Sequence, residues 1–466
     1  MISLEIEEMH KIKMFCLAFL LSLNCFAQHS LFRKGDRIAF VGNSITNNGE
    51  FHHNIFQYYV TRFPQQPISF FNCGISGDVT AGILNRMDMD ILINRPSHVV
   101  LMIGMNDVKR NLYGSMPTLD ADTLKQRAAA LTVYKTNLDS IIRIFLSKNI
   151  RVILQKPTIY DQTAILKTAN NLGVNDALKN CADYIEELAQ KYHLPFVDYW
   201  TLLNSINLGL QKEDPMATII GADRVHPAAA GHLIMSYQFL KTLQPSSTYI
   251  AKIYIEKNIK NSQKSSENCK IDDFSKEING ISFSVKENAL PFPTVVNQKQ
   301  ALDLLPFTQD LNVEELKVMD LKKGDYSFLI DTTVIGIFTA EQFKAGINLA
   351  LYPHSPQYQQ ALAVRKILTD MWVNEANLRT IRWVEIGHLN DLKNKQDLDS
   401  VKTYLEKRFH EKFEKLSNGS YYKGQFEKYV LLKPNELKYT IEKENLRLKA
   451  YELAQTQVHK YLLISR

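Results

Sequence analysis

The sequence has few cysteines, and this scarcity excludes a scaffold built on disulfide bonds. Five occur in 466 residues, and two of these lie in the apolar N-terminal segment. The other three, Cys73, Cys181 and Cys269, are too few and too widely spaced to form a disulfide framework. No C-x-x-C or H-E-x-x-H pattern occurs, and the adjacent His52 and His53 point in different directions. We therefore expect no metal site and no other cofactor.

A strong charge of one sign and long apolar runs are also missing. The formal net charge is +6, and Lys and Arg alternate with Asp and Glu instead of forming a basic stripe. This pattern does not favour a nucleic-acid partner. Beyond the N-terminal segment, no apolar run approaches the roughly 20 residues that a membrane-spanning helix needs. We expect neither a nucleic-acid partner nor a membrane span, and the oligomeric state is left open.

The first 27 residues have the features of a signal peptide. Residues 10–13 (HKIK) are basic, residues 14–23 are apolar, and Cys25-Phe26-Ala27 is typical of a cleavage site with small residues. Acidic residues before the basic group fit this pattern poorly, which leaves the translation start open. The alternative starts are Met1, Met9 and Met14. We expect a cleaved signal peptide at 1–27 and a periplasmic or secreted protein.

Short apolar runs then alternate with longer helical stretches. The predicted strands are RIAFVG (37–42), ISFFNCG (68–74), HVVLMIG (98–104), RVILQKP (151–157) and PFVDYW (195–200). The predicted helices are 123–148, 176–192 and 230–243. Such alternation is typical of a parallel sheet with crossover helices on both faces. The sequence thus predicts an α/β domain over residues 28–249.

The amino-acid composition and the pattern of apolar residues change after residue 249. Residues 256–280 are polar and lysine-rich, which suggests a surface excursion or linker. Residues 316–339 are expected to form short strands with turns at 322–324 and around Asp331. Residues 356–416 and 439–465 have a helical pattern. We predict a second, α+β region over 250–466 and no catalytic role for it.

Chemistry-bearing residues concentrate at the strand ends of the first region, where open parallel sheets place their ligands. The four segments are GNSIT (42–46), NCGISGDVT (72–80), LMIGMNDV (101–108) and DRVHP (223–227). Ester hydrolysis by a serine needs a hydroxyl, a base, a carboxylate that orients the base, and donors for the developing oxyanion. Ser44, His226 and Asp223 fit the first three roles, and the Gly77 amide and the Asn106 side chain fit the last.

At these four segments the chain resembles the SGNH (GDSL-like) hydrolases, over about residues 33–245. The resemblance implies a flavodoxin-like sheet, Ser44 as nucleophile, Asp223 and His226 as its relay, and Gly77 and Asn106 as oxyanion donors with the Ser44 amide. Asn43 replaces the usual Asp of the family, so we expect altered local hydrogen bonding without loss of activity. The region after 249 is only vaguely similar to extensions of longer members.

Each of these residues also has a purely structural interpretation. Ser44 would be a helix cap, Asn106 and Asp107 would be turn residues, and His226 would be packed before Pro227. Asp198 is a rival for orienting the base, although no His stands at adjacent spacing. Asp78 and Arg86 are expected to brace their loop, and Cys73 to be a buried apolar residue. Neither a P-loop nor a G-x-S-x-G elbow is present.

These patterns predict an exported serine carboxylic-ester hydrolase that removes O-acetyl groups from carbohydrates, or a hydrolase of small esters. Residues 47–56 and 109–120 are expected to border the site, with Tyr113 as a ring for sugars, and they lack the continuous apolar lining of a long acyl pocket. A lipid esterase or lysophospholipase of the same fold is one alternative. A non-catalytic carbohydrate-binding module is the other.

Overall fold

The computed structural model describes residues 30–117, 120–244, 249–256 and 259–466. The predicted signal peptide, residues 1–27, lies outside the described residues. No helix in the described ranges has both the length and the apolar content needed to cross a membrane.

The first region contains a five-stranded sheet in the order β2-β1-β3-β4-β5, and every pair in it is parallel. Its strands are β1 (Arg37–Gly42), β2 (Ser69–Gly74), β3 (His98–Met102), β4 (Arg151–Gln155) and β5 (Phe196–Val197). All of β3 and nearly all of β1 are buried, as strands covered on both faces must be. The predicted parallel α/β sheet is therefore confirmed.

Helices flank this sheet, and α2 packs on α7 whereas α4 packs on α3 and α5. The helices are α1 (Ser44–Asn48), α2 (Glu50–Arg62), α3 (Thr80–Arg86), α4 (Ala121–Ser147), α5 (Val174–Tyr192), α6 (Tyr199–Glu213) and α7 (Ala229–Leu243). After α3 the chain continues through one π-helical turn (Met87–Ile91) and one 3-10 turn (Leu92–Asn94). The three helices expected from the apolar spacing are present, and no end differs from its predicted position by more than two residues.

Residues 249–466 form two further sheets, with strand orders β11-β10-β13-β8-β7 and β12-β9-β6. The strands are β6 (Tyr249–Ile255), β7 (Cys269–Glu277), β8 (Gly280–Glu287), β9 (Val313–Val318), β10 (Asp325–Ile330), β11 (Thr333–Thr339), β12 (Ile347–Asn348) and β13 (Val458–Ser465). The turns expected at 322–324 and at Asp331 separate β9, β10 and β11. The mixture of helices and sheets agrees with the expected α+β content.

The helices between the strands of this region are short, and the helices that follow residue 355 are longer. They are α8 (Ile259–Ser265), α9 (Lys299–Leu304), α10 (Phe307–Leu311), α11 (Ala340–Ala345), α12 (Pro356–His388), α13 (Leu398–Lys412), α14 (Gly419–Leu432) and α15 (Glu436–Leu453). The 33-residue α12 begins at a proline in its first turn, with Ser355 as its N-cap. It is the longest element of the described chain, and it packs against α15, α14 and α2.

Two expectations for this region were wrong. Of the two interpretations of 256–280, a surface excursion or a linker, the linker is wrong, because the segment forms α8 and the edge strand β7. In β7, Cys269 and Ile271 are buried at alternate positions while their charged neighbours face solvent. The helix expected to run to 465 ends at Leu453, and β13 follows. Tyr461 and Leu463 of β13 are buried at period two, the pattern of a strand, and β13 pairs with both β10 and β8.

One hydrophobic core joins the sheet of the first region to helices of the second. Ala361, Val364 and Leu368 of α12 and Tyr451 of α15 belong to the same buried cluster as strands β1 to β5. The sheets of residues 249–466 have a separate core around Phe283, Phe328 and Tyr461. The division after residue 249 stays a prediction, but α12 and α15 complete the core of the preceding residues.

A partly buried hydrogen-bonded pair of side chains joins α12 to α2. His53 Nε2 lies 2.8 Å from Glu375 Oε2, and the His53 ring stacks on Trp372 with centroids 4.4 Å apart. Burial by itself would raise the pKa of Glu375, but the hydrogen bond and charge of His53 and the nearby Lys443 outweigh it and lower the pKa to about 2. The carboxylate is therefore ionised in the folded protein at pH values where a free glutamate takes up a proton.

Glu375→Gln should remove one source of acid lability. Because folding lowers the pKa of Glu375 from 4.5 to about 2, its contribution to stability is complete above pH 4.5 and is lost as pH falls towards 2. This contribution is on the order of 3 kcal/mol. Urea unfolding from pH 2 to 7 should show a lower stability for the variant at pH 7 and a smaller loss between pH 4.5 and 2. The exposed Glu442→Gln on α15 is the control, and parallel acid profiles for all three proteins would contradict the assignment.

Candidate active site

Ser44 is the first residue of α1, directly after strand β1. The N-cap of α1 is Asn43, whose Oδ1 accepts a hydrogen bond from the Ile45 amide at 3.1 Å. Ser44 therefore does not cap the helix; its Oγ lies 2.7 Å from His226 Nε2. Gly42 permits the turn from β1 into α1, since a Cβ at this position would lie 2.4 Å from the Met102 carbonyl oxygen of the neighbouring strand.

His226 and Asp223 meet within one tight turn. His226 Nδ1 lies 2.5 Å from Asp223 Oδ2, and Asp223 Oδ1 accepts hydrogen bonds at 3.0 Å from the Val225 and His226 amides. Burial raises the pKa of Asp223, but the hydrogen bonds from the His226 side chain and from the two amides outweigh it and lower the pKa. The ionised carboxylate accepts from Nδ1–H, and this tautomer leaves Nε2 free to take the proton of Ser44.

Arg224 holds this turn in place, and it was not singled out from the sequence. Its backbone is left-handed, with φ of 67°, which favours the reversal between Asp223 and His226. The buried guanidinium donates from Nη1 to the carbonyl oxygens of Asp161 at 2.9 Å and Ala164 at 3.0 Å. The sequence shows an arginine in the D-x-x-H segment, but its hydrogen-bond partners lie about 60 positions away. No local pattern predicts such contacts.

Gly77 and Asn106 lie on two loops that are joined to each other. Gly77 is left-handed, with φ of 83°, which a residue with a side chain would adopt only with strain. Asn106 Nδ2 donates to the Asp78 carbonyl oxygen at 2.9 Å, and its second amide hydrogen is available for another acceptor. Asp107 Oδ1 accepts from both the amide and the hydroxyl of Thr80, at 2.8 and 2.7 Å, which ties the two loops together.

The comparisons with known proteins agree with this geometry. A family model described as GDSL-like lipase/acylhydrolase matches residues 40–234. An acetylxylan esterase from Geobacillus stearothermophilus is 26% identical over 230 residues, which cover 45% of this chain and 94% of that protein. The solved structure of a gut microbial diltiazem-metabolizing enzyme is 30% identical, with a TM-score of 0.82, covering 94% of this chain and 99% of that one. The chain belongs to the GDSL-like lipase/acylhydrolase family. It is a serine ester hydrolase with a flavodoxin-like sheet.

Asn43, which stands where the family usually has Asp, keeps a local hydrogen bond in this GDSL-like protein. Its side chain is buried, and its amide oxygen accepts from the Ile45 amide the hydrogen bond that a carboxylate oxygen would otherwise accept. The substitution therefore removes a negative charge from the start of α1 while the cap is retained.

The structure confirms the structural roles that were expected for three residues. Asp198 caps α6 by accepting from the Thr201 amide at 2.9 Å and pairs with Lys156 at 2.7 Å, whereas the carboxylate in contact with His226 is that of Asp223. Cys73 is fully buried, and burial raises the pKa of its thiol to about 12. Arg86 braces its loop by donating to Asp78 at 2.8 Å.

An open pocket of about 610 Å³ lies beside the His226 side chain. Its lining is mostly polar: Asn106, Lys109, Arg110, Asn111, Tyr160, Thr168, Ala169, Asn171, Asp223, Val225 and His226. None of residues 47–56 lines this pocket, and most of them lie in the largely buried α1 and α2; that they border the site stays a prediction. Tyr113 is also not a lining residue; its ring packs under the Arg127 guanidinium at 3.8 Å. The loop after β4 supplies Tyr160, Thr168 and Asn171 instead.

One group of potential metal ligands occurs in the described part of this GDSL-like chain. It comprises His52, His53 and Glu375, whose ligand atoms lie within 4.8 Å of one another. His52 Nε2 already lies 3.1 Å from the Thr46 carbonyl oxygen, and His53 Nε2 forms the 2.8 Å pair with Glu375. These contacts are those of hydrogen bonds, and we interpret the group as the junction between α2 and α12.

Asn106→Ala should lower kcat by roughly 10²–10³ if the free amide hydrogen stabilises the oxyanion. KM for a small ester should change little, since a neutral carbonyl gains less from the donor than the charged intermediate does. Steady-state kinetics on a 4-nitrophenyl ester would measure both, with Asn111→Ala in the same pocket as control. A change in KM alone would show that Asn106 binds substrate and transition state equally.

Proposed function

We propose that this serine ester hydrolase removes O-acetyl groups from carbohydrates. The observation that carries the proposal is the hydrogen-bonded series Ser44–His226–Asp223, which opens onto a pocket lined by polar side chains. The similarity to an acetylxylan esterase supports the choice of an acetylated carbohydrate. The similarity to a diltiazem-metabolizing enzyme supports acceptance of small esters as well.

In the proposed reaction, Ser44 Oγ attacks the acetyl carbonyl carbon while His226 Nε2 takes the hydroxyl proton. Asp223 holds the imidazole in place and stabilises the imidazolium that forms. The oxyanion is stabilised by the Gly77 amide, the Asn106 side chain and the Ser44 amide. The intermediate then collapses, the sugar hydroxyl leaves with the proton from His226, and water hydrolyses the acetyl-enzyme by the same steps.

The pocket favours a short acyl group and a polar alcohol. A long acyl chain needs a continuous apolar slot, whereas Ala169 and Val225 are the small apolar residues among the eleven lining residues. Side chains such as Asn111, Thr168 and Asn171 can exchange hydrogen bonds with sugar hydroxyls. Lys109 and Arg110 add positive charge to the same wall.

The test is a chain-length series of 4-nitrophenyl esters, from acetyl to octanoyl, together with acetylated xylan and acetylated oligosaccharides. Each methylene is worth about 1–3 kcal/mol of discrimination in a hydrophobic pocket, so we expect a steep but finite fall in kcat/KM beyond acetyl. Acetate release from at least one glycan is expected, with Ser44→Ala as the control for uncatalysed hydrolysis.

Two results would overturn the proposal. A higher kcat/KM for octanoyl than for acetyl esters, with no acetate released from glycans, would favour the lipid esterase or lysophospholipase. Binding of glycans without turnover of any ester by the folded protein would favour the carbohydrate-binding module.

We also propose that the protein is exported. The basic and apolar residues of segment 10–23 and the cleavage pattern ending at Ala27 support this. Fractionation of the native cells and N-terminal sequencing should locate the mature protein outside the cytoplasm, beginning at Gln28. A cytoplasmic protein that retains residues 10–27 would contradict it.

A further inference from the structure

Helix α12 reaches the loop that carries Gly77. Trp383 Nε1–H donates a hydrogen bond to the Ser76 carbonyl oxygen at 3.2 Å. Four residues earlier on the same face of α12, Arg379 donates from Nη2 and Nε to the Gly74 carbonyl oxygen, at 2.9 and 3.2 Å. Helix α12, more than 300 positions later in the sequence, thus holds one carbonyl at the end of β2 and one in the loop that follows it.

The contact to Ser76 bears directly on the Gly77 amide, because both belong to one peptide group. The bond is trans and planar, so the Ser76 carbonyl oxygen and the Gly77 N–H point in opposite directions. Fixing the carbonyl on the side of α12 therefore fixes the direction of the N–H on the other side. Within the described residues the Gly77 amide has no hydrogen-bond acceptor, so it is available for a ligand.

A buried charge network holds the rest of this loop. Arg379 also donates to Asp90 at 2.7 and 3.0 Å, and Asp90 accepts from Arg86 at 2.5 Å. Arg86 in turn donates to Asp78 at 2.8 Å. All four side chains are at most 8% exposed, and their formal charges cancel. Gly82 makes room for the network, since a Cβ there would lie 1.8 Å from Asp78 Oδ1.

A network of buried charges contributes little net free energy to folding. Buried ion pairs often contribute no more than well-packed apolar side chains of similar volume, because desolvation offsets the attraction between the charges. What the charged groups add is a set of directed hydrogen bonds. Here those bonds hold the Gly74 carbonyl at the end of β2 and the Asp78 side chain in the loop that follows. The Asp78 carbonyl oxygen in turn accepts from Asn106.

We propose that the region after residue 249 positions the oxyanion donors of the active site, with Trp383 as the positioning residue for the Gly77 amide. Arg379 supports it by holding the end of β2 at Gly74. The proposal rests on the proposed function in one respect, namely that the Gly77 amide stabilises the oxyanion. It assigns a role in turnover to a region for which the sequence predicted none.

Trp383→Phe is the test variant, because it removes the N–H donor and keeps a ring beside His388 and Tyr422, whose centroids lie 4.5 and 5.8 Å from that of Trp383. Trp372→Phe is the matched control. It makes the same change on the same helix, at a ring that stacks on His53. Both are measured as the full chain, on the 4-nitrophenyl ester that the wild-type protein hydrolyses fastest.

We expect Trp383→Phe to lower kcat about 10-fold, less than the loss of a whole donor, with KM within about twofold. Methylboronic acid, which forms a tetrahedral adduct on a nucleophilic serine, should bind more weakly by about the same factor. A purely structural defect would lower the melting temperature or the active fraction without changing this inhibition constant. Trp372→Phe should keep the wild-type kcat and inhibition constant.

A wild-type kcat and inhibition constant in folded Trp383→Phe would overturn the proposal, whatever its melting temperature. Arg379→Lys, which keeps a cation but lacks the planar fork for Asp90 and Gly74 together, is measured in the same way and decides the question if Trp383→Phe does not fold. Failure of the carbohydrate proposal is distinguishable, because it concerns which ester is hydrolysed and leaves these comparisons intact.

Discussion

Ser44→Ala should abolish ester hydrolysis, with a loss in kcat of about 10⁶, as expected when the nucleophile of a serine hydrolase is removed. The fold should survive. The Ser44 hydroxyl contributes one hydrogen bond, to the partly exposed His226, and such a bond is worth about 1 kcal/mol net. The melting temperature should therefore stay within a few degrees of the wild-type value.

A fluorophosphonate gives a second measurement of the same assignment. It should label the wild-type protein on the peptide that contains Ser44 and should leave the variant unlabelled. Ser140→Ala, on the surface of α4, is the control, because its hydroxyl bonds only within its own helix. Near-normal turnover or labelling of Ser44→Ala would remove Ser44 from the mechanism.

The parts of the site that could be predicted are those fixed by local order along the chain. Strand β1 ends at Gly42 and β3 ends at Met102, and in a parallel sheet such ends meet at one edge. Ser44 and Asn106 follow these strands within a few residues, so the strand assignment alone predicts that they lie at the same edge of the sheet. Asp223 and His226 stand three apart, and a single turn brings them together.

The parts that could not be predicted depend on contacts between distant segments. Strand β13 lies between β10 and β8, so its place in the sheet is set by residues more than 100 positions earlier. The Trp383 contact to Ser76 has the same origin, since no spacing within α12 indicates what the indole will meet. The part of the pocket lining that comes from the loop after β4, namely Tyr160, Thr168 and Asn171, was likewise missed, because that loop has no regular pattern.

The similarity over most of the chain bears on the role of the C-terminal region. The diltiazem-metabolizing enzyme matches 94% of this chain, whereas the acetylxylan esterase matches 45% of it, although 94% of that protein's own length is covered. The acetylxylan esterase is therefore too short to contain a counterpart of every part of this chain. A region that only positions oxyanion donors is compatible with this, since a shorter member can brace its loop with other contacts.

His226→Ala should reduce kcat about as much as Ser44→Ala does, and the double variant should be no worse than either single one, because nucleophile and base act as a unit. Asp223→Asn should cost less, about 10⁴, since an amide in place of the carboxylate favours the wrong imidazole tautomer but leaves the base present. Added imidazole should restore part of the activity to His226→Ala and none to Ser44→Ala, which separates loss of the base from loss of the nucleophile. Steady-state kinetics of the four variants and the wild-type protein would measure this order. If Asp223→Asn retained wild-type kcat, the 2.5 Å contact between Asp223 and His226 would be structural, and the imidazole would be oriented by its other neighbours.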